Sequence, residues 1–302
     1  MLKLISGSSC SDLCKKLSSD NNFSMIPVKF NTFSDGEKCL ELLEDVQGDD
    51  VFIFQSISFP SSDNFLELLM LIDASKRAFA DRITVVIPYY GYSRQDKKLS
   101  QKSPITAKLI ADMIVTAGAK QIITVDLHSD QIQGFFSIPV QNILIPPSFI
   151  QELINKNSNN FIIVSPDIGG IKRSRQIAEY FNVDLATIDK NRVFANTSSA
   201  KALIGEVKHK DCILIDDIVD TAGTLINAAE LLSDSGANSI TACITHPVFS
   251  GNSLQNVIES KIEKVIVSDT IPLNIRIDNH SKVFVKSISN YITDAILCIA
   301  NK

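Results

Sequence analysis

Residues 211–225 read DCILIDDIVDTAGTL. The apolar run Cys212–Ile215 meets two adjacent carboxylates, Asp216 and Asp217, and then Asp220-Thr221-Ala222-Gly223-Thr224 opens a helical pattern. The run reads as an apolar strand that ends at the acid pair. Ligands of open α/β sheets sit at the carboxyl ends of the strands. A loop of small residues at a helix N-terminus presents backbone N–H groups to a phosphate there. Thr221 and Thr224 add hydroxyl donors. Asp216 and Asp217 repel phosphate, but they suit the vicinal hydroxyls of a ribose or a Mg²⁺ ion. The pattern therefore predicts a ribose 5-phosphate group, with sugar on the acids and phosphate on the loop. An acidic strand end followed by an ordinary helix cap is the plainer alternative, and the order strand, acid pair, D-T-x-G-T, helix argues against it.

The rest of the chain fits that frame. LKLIS (2–6), VFIFQ (51–55), RITVVIP (82–88) and QIITV (121–125) read as strands. A helix is predicted over 62–79, with Ser62 or Asp63 as N-cap, and another over 104–118, with Pro104 suited to its first position. The alternation then repeats. FIIVS (161–165), VDLATI (183–188), DCILI (211–215), SITACI (239–244) and KVIVS (264–268) read as strands, with helices over about 171–181, 221–235 and 287–300. Alternating β and α elements predict parallel sheets flanked by helices. At 302 residues there is room for two domains of similar build. They are expected over 1–145 and 146–286, with 287–302 as a C-terminal helix packing back on the first.

Composition narrows the class. A net charge of -5, spread evenly along the chain, argues against binding nucleic acid through bulk positive charge, so an anion site must be built locally. No apolar run reaches the length of a membrane span. The six cysteines form no CxxC. His209 with Cys212, and Cys243 with His246, are three apart along predicted strands, which puts them on opposite faces and makes a shared zinc ion unfavourable. Cys212, Cys243 and Cys298 lie in apolar stretches and read as buried, reduced thiols, which suits a cytoplasmic protein.

The 211–225 run resembles the phosphoribosyl-pyrophosphate-binding motif of the phosphoribosyltransferase-type fold. Further segments resemble one family with that fold, ribose-phosphate pyrophosphokinase (phosphoribosyl pyrophosphate synthetase): FSDGE (33–37), GYSRQDKK (91–98), TVDLHSDQIQGFF (124–136), VSPDIGG (164–170), THPVFSG (245–251) and SDTIPL (268–273). The resemblance runs nearly end to end. It implies two phosphoribosyltransferase-like α/β domains, the first on the ATP and pyrophosphate side and the second holding ribose 5-phosphate. The reaction implied is transfer of the β,γ-diphosphoryl group of Mg-ATP to the anomeric hydroxyl of D-ribose 5-phosphate, releasing AMP.

The implied roles fall on particular residues. The sequence has no GxxxxGK[ST], so ATP is not held by a Walker A loop. Phe33 offers a stacking face for a purine, Asp35 and Glu37, flanking Gly36, can accept from its exocyclic amine, and Arg94 and Gln95 can donate to ring nitrogens or phosphates; by itself FSDGE would read as a turn. The resemblance carries the hairpin residues to the ATP of a neighbouring subunit, within a homo-oligomer expected to be hexameric. His128 and Asp167 match the family's Mg²⁺ positions. Asp167, Ile168, Gly169 and Gly170 match the pyrophosphate loop, and the following Lys172, Arg173 and Arg175 would by themselves read as a solvated helix face. Asp216, Asp217, Asp220, Thr221, Ala222, Gly223 and Thr224 match the ribose 5-phosphate site, to which Arg192 also contributes. Lys190 and Arg192 match the catalytic loop, where two cations can close over the transferring group. Asn191, Val193 and Phe194 depart from the family's Arg-richer loop, and Lys102 stands where Arg is common. Two other readings compete. A phosphoribosyltransferase shares 211–225 but leaves FSDGE, RQDK and DLHSDQIQGFF unexplained. A non-catalytic regulatory subunit should have lost the loop charges or metal residues, and this chain keeps both.

Overall fold

The computed structural model describes residues 2–18, 22–151, 154, 160–189, 202–273 and 282–300. The chain divides into two compact units. One comprises Met1–Leu144, Asp269–Pro272 and Ser287–Lys302, and the other Ile145–Ser268 and Leu273–Lys286.

The first unit carries β1 (Leu2–Ser6), α1 (Ser11–Leu17), β2 (Phe23–Ile26), β3 (Val28–Thr32), β4 (Lys38–Leu42), β5 (Asp50–Phe54), α2 (Ser61–Arg77), β6 (Arg82–Ile87), α3 (Thr106–Ala117), β7 (Gln121–Val125) and β8 (Val140–Ile143). Six strands form one sheet in the order β2-β1-β5-β6-β7-β8, every pairing parallel. The Val/Ile runs of its central strands are fully buried, as a sheet covered on both faces requires. Ile53, Val85 and Ile122 meet Leu68, Leu71 and Ile72 of α2 and Ile110 and Ile114 of α3 in one core. β3 and β4 stand apart as an antiparallel pair in which Thr32 faces Lys38.

In the second unit β9 (Phe161–Ser165), α4 (Ile171–Phe181), β10 (Leu185–Asp189), β11 (Ala202–Ile204), β12 (Asp211–Val219), α5 (Gly223–Asp234), β13 (Ser239–Pro247), α6 (Ser253–Glu259), β14 (Lys264–Ser268) and β15 (Val283–Lys286) follow. Their sheet runs β11-β10-β9-β12-β13-β14-β15, parallel except for the β10–β11 pair. The closing helix α7 (Ser289–Ala300) belongs to the first unit. No helix among the described residues is long and apolar enough to cross a membrane.

Several boundaries differ from those expected. α2 starts at Ser61, with Pro60 in the N-cap position and no side-chain cap, and the chain turns left-handed at Phe79 just beyond its end. α3 starts at Thr106, two residues past Pro104; the Thr106 hydroxyl donates to Gln95 Oε1 (2.6 Å) instead of leaving the helix to begin at the proline. β12 does not stop at the acid pair but continues to Val219, because β13 pairs with it as far as Pro247. The β3–β4 hairpin is too exposed to show an apolar signature. His209 lies in a left-handed turn, not on a strand. Cys212 and Cys243 are buried, but Cys298 is exposed, since α7 turns Ile292, Ala295, Ile296 and Ile299 inward instead.

Candidate active site

In the second unit, β9 and β12 are neighbours in parallel register, with Ile163 beside Ile213, so the segments leaving their carboxyl ends emerge side by side. Asp167 follows β9. Its Oδ1 accepts from the Gly170 N–H (3.1 Å), and its carbonyl accepts from Ser165 Oγ (2.7 Å). A Cβ on Gly170 would stand 2.9 Å from Ser165 Oγ, and one on Gly169 3.3 Å from Asp167 Oδ1. The glycine pair is thus what lets this loop fold tightly around its own carboxylate. Ile168 is exposed beside it.

Asp216 and Asp217 are successive on β12, and their carboxyl groups interact. Asp217 is buried, Asp216 partly so. The Asp217 N–H donates to Asp216 Oδ1 (2.9 Å). Burial, then the neighbouring Asp217 and the more distant charge of Asp167, push the Asp216 carboxyl well above the usual carboxylate range. Three carboxylates crowded at one sheet edge favour a ligand that brings hydroxyl donors or a cation.

Beyond Val219 the chain runs Asp220–Thr224 into α5. Ala222 is left-handed (φ 64°) at the N-cap, and no side chain caps the helix. A Cβ on Gly223 would meet only Thr221 Oγ1, at 3.9 Å, so the space over the first turn is open. The loop is braced from outside: the N–H groups of Phe249 and Ser250 donate to the carbonyls of Val219 (3.0 Å) and Asp220 (3.1 Å). Backbone N–H groups at an uncapped helix start, with open space above them, are an anion cradle.

In the first unit, Arg94 and Gln95 sit in a short 3-10 turn after β6 that begins at left-handed Tyr92. His128 lies exposed beyond β7. Asp126 before it is buried and left-handed (φ 43°), and its N–H donates to the Ile143 carbonyl (2.8 Å). Gln131 Nε2 donates to Asp96 Oδ2 (3.2 Å), tying the RQD turn to the DLHSDQIQ segment. The parallel sheet therefore brings Arg94, Gln95 and His128 to one carboxyl edge.

Phe33, Asp35, Gly36 and Glu37 are placed elsewhere, at the tip of the β3–β4 hairpin. The Phe33 N–H donates to the Glu37 carbonyl (2.8 Å), and the Glu37 N–H to Asp35 Oδ1 (3.0 Å). Gly36, at φ 95°, makes the turn that a side chain would strain. Phe33 is 58% exposed. Directly after the turn, Lys38 Nζ lies 3.5 Å from Asp63 Oδ2 and 3.9 Å from Glu67 Oε2, both on α2. Buried Glu67 also accepts from the Ser8 N–H (2.7 Å) and Gln55 Nε2 (2.9 Å).

Lys190 and Arg192 lie outside the described residues. Sequence reasoning missed the Lys38–Glu67 anchor and the pairing of Arg173 with Asp217 (Nη1–Oδ1 3.7 Å). The buried Ser174, Ile177 and Ala178 on α4 are the sign that this helix presses closely on the sheet. Among the described residues no three of His, Cys, Asp and Glu are grouped as a closed metal cage.

Known proteins sharpen this picture. A family model of the N-terminal domain of ribose phosphate pyrophosphokinase matches residues 2–118, and one of a phosphoribosyl synthetase-associated domain matches residues 192–302. The chain is 44% identical to a ribose-phosphate pyrophosphokinase of Haemophilus ducreyi over 100% of its own length and 96% of that protein's. It is 43% identical, over the same shares, to one of Shewanella oneidensis. Its fold is that of the crystal structure of phosphoribosylpyrophosphate synthetase from Mycobacterium smegmatis, with a TM-score of 0.92, 34% identity and 99% of both chains covered.

Proposed function

This chain belongs to the ribose-phosphate pyrophosphokinase family, and from that premise we propose how its residues divide the work of the reaction. The enzyme transfers the β,γ-diphosphoryl group of ATP to the anomeric hydroxyl of D-ribose 5-phosphate, giving 5-phospho-α-D-ribose 1-diphosphate and AMP. The observation that carries the residue assignment is the uncapped start of α5 beside the acid pair of β12. Backbone N–H groups of Asp220–Thr224 and the hydroxyls of Thr221 and Thr224 bind the 5-phosphate. Asp216 and Asp217 accept from the ribose hydroxyls and so fix the sugar's orientation.

Arg94 and Gln95 contact the nucleotide, and the loop Asp167–Gly170 receives the diphosphate. Phe33, Asp35 and Glu37, on their projecting hairpin, serve the ATP of a second copy of the chain, so that the working form is an oligomer, taken to be a hexamer. The anomeric oxygen attacks the β-phosphorus as AMP departs. Holding the two substrates in line and neutralising the charge on the phosphoryl oxygens then supply most of the rate. Lys190 and Arg192 provide that neutralisation from the protein.

Magnesium fits the donors present. It binds oxygen ligands, characteristically one or two carboxylates together with substrate phosphates rather than a closed protein cage. Asp167 adds its charge to the burial and the neighbouring Asp217 that push the Asp216 carboxyl up, a crowding of carboxylates that such a cation would relieve. Asp167 and His128 are the residues assigned to hold it. When bound it contributes positive charge to the phosphate oxygens of ATP. The six free thiols suit a reducing cytoplasm.

The decisive experiment is AMP release from ATP and ribose 5-phosphate, with Mg²⁺ and no nucleobase. Formation of AMP with equimolar 5-phosphoribosyl diphosphate is expected. A chain that is inactive there, but consumes 5-phosphoribosyl diphosphate when given a nucleobase, would overturn the reading.

A further inference from the structure

Arg173 lies on the first turn of α4, outside every segment assigned to substrate. α4 packs on β9, β10 and β12. The Arg173 guanidinium stands 3.7 Å from Asp217 Oδ1, and the two side chains are 21% and 8% exposed. A carboxylate so enclosed is costly unless a cation compensates it. At 3.7 Å the pair is an electrostatic contact rather than a tight hydrogen bond. Asp217 thus gains a counter-charge from the helix. Asp217 is joined in turn to Asp216, whose Oδ1 takes the Asp217 N–H at 2.9 Å. A guanidinium on the helix, a buried carboxylate on the strand and a second carboxylate beside it therefore form one linked set.

We propose that Arg173 is a positioning residue for ribose 5-phosphate: by pairing with Asp217 it fixes the acid pair in the orientation that receives the ribose hydroxyls. The inference rests on the assignment of Asp216 and Asp217 to the sugar. Arg173 does not touch the reacting atoms, so its loss should act on sugar binding before it acts on turnover. A lysine supplies the charge but not the planar fork and should serve only in part.

The test measures kcat, KM for ribose 5-phosphate and KM for ATP in Arg173→Met, Arg173→Lys, Asp217→Asn and the double variant Arg173→Met/Asp217→Asn, with thermal melts of each. Arg173→Met should raise KM for ribose 5-phosphate by about tenfold or more. It should lower kcat by less than about threefold and leave KM for ATP unchanged. Arg173→Lys should fall between it and the unaltered enzyme. In the Asp217→Asn background, removing Arg173 should change little further, since the two act as one unit. If Arg173→Met does not fold, Arg173→Lys carries the same comparison, with a shift of several-fold confined to ribose 5-phosphate. Shifts confined to ATP, a normal KM for ribose 5-phosphate in Arg173→Met, or full additivity in the double variant would each overturn the proposal. Failure of the parent reading is separate and visible: the unaltered enzyme would release no AMP, or Asp217→Asn would leave ribose 5-phosphate binding intact.

Discussion

The phosphate loop and the hairpin tip are each assigned a substrate, yet they are built in opposite ways. In Asp216–Thr224 nine consecutive residues run from a strand in the middle of a seven-stranded sheet to a helix start, with backbone bonds from Phe249 and Ser250 holding the outside of the loop. The hairpin Val28–Leu42 belongs to no large sheet and leans on α2, where Lys38 meets Asp63 and Glu67. A two-stranded ribbon is marginal by itself, so its geometry depends on what it leans against. The loop offers backbone donors whose positions the sheet dictates, whereas the hairpin offers side chains on an exposed turn. Damage at the second unit's site should therefore appear in turnover or in use of ribose 5-phosphate, and damage at the hairpin in use of ATP.

The largest effect that could break this comparison is the one proposed for Lys190. Lys190→Ala is expected to lower kcat by about three powers of ten or more while changing ATP affinity little, each factor of ten being about 1.4 kcal/mol of transition-state stabilisation. Rapid-quench turnover with labelled ATP measures it, and near-normal turnover would remove Lys190 from the mechanism. Next comes the hairpin. Phe33→Ala should raise KM for ATP by about tenfold, in keeping with the roughly 1–3 kcal/mol of a base stacked on an aromatic ring. Because Phe33 is already 58% exposed, the melting temperature should barely move. A raised KM for ribose 5-phosphate in this variant would erase the division of labour between the two regions.

How far each region can be read from sequence follows the same division. The phosphate loop is legible because the residues that act are neighbours in the chain, and strand, acids, small residues and helix are written in order. Even there the strand's continuation to Val219 is hidden, because the carboxylates interrupt the apolar signal while β13 supplies the pairing that keeps them extended. The hairpin is hardly legible, since Lys29, Phe30, Asn31 and Thr32 are all exposed and follow no alternation. FSDGE acquires meaning there only through resemblance. Long-range pairs such as Arg173–Asp217 and Lys38–Glu67 leave no local pattern, because each joins residues that only the folded sheet brings together.

A smaller effect tests how tightly the loop is specified. Ala222 is left-handed at φ 64°, a conformation that costs an L-residue roughly 1–2 kcal/mol and glycine almost nothing. Ala222→Gly should keep activity and stability near normal. Ala222→Val, β-branched and buried at positive φ, should lower stability by about 1–3 kcal/mol and raise KM for ribose 5-phosphate. Chemical denaturation read together with kinetics separates the two variants. Equal behaviour would show that the loop is looser than its bracing suggests.

The smallest effects come from thiols that report on the two regions separately. Cys39 is on the hairpin and partly exposed, while Cys212 is buried in β12. Burial first, and then Asp211, push the Cys212 thiol up to about 12; burial likewise raises Cys10 in the first unit to about 11, against the hydrogen bonds from Ser56 and Ser9. A thiol that keeps its proton in the folded state, where the unfolded chain would have lost it near pH 8.5, stabilises the fold only below that pH. Stability should therefore be fully present at pH 8 and decline as pH rises towards 11 or 12, and Cys212→Ala should flatten that decline. At pH 8 iodoacetamide should label Cys39 and exposed Cys298 first and leave Cys212 untouched until denaturant opens the sheet. Peptide mapping of the labelled protein reads this directly. If Cys212 reacts as quickly as Cys39, the strand that carries the acid pair opens as readily as the hairpin, and the contrast between a sheet-fixed loop and a leaning turn is lost.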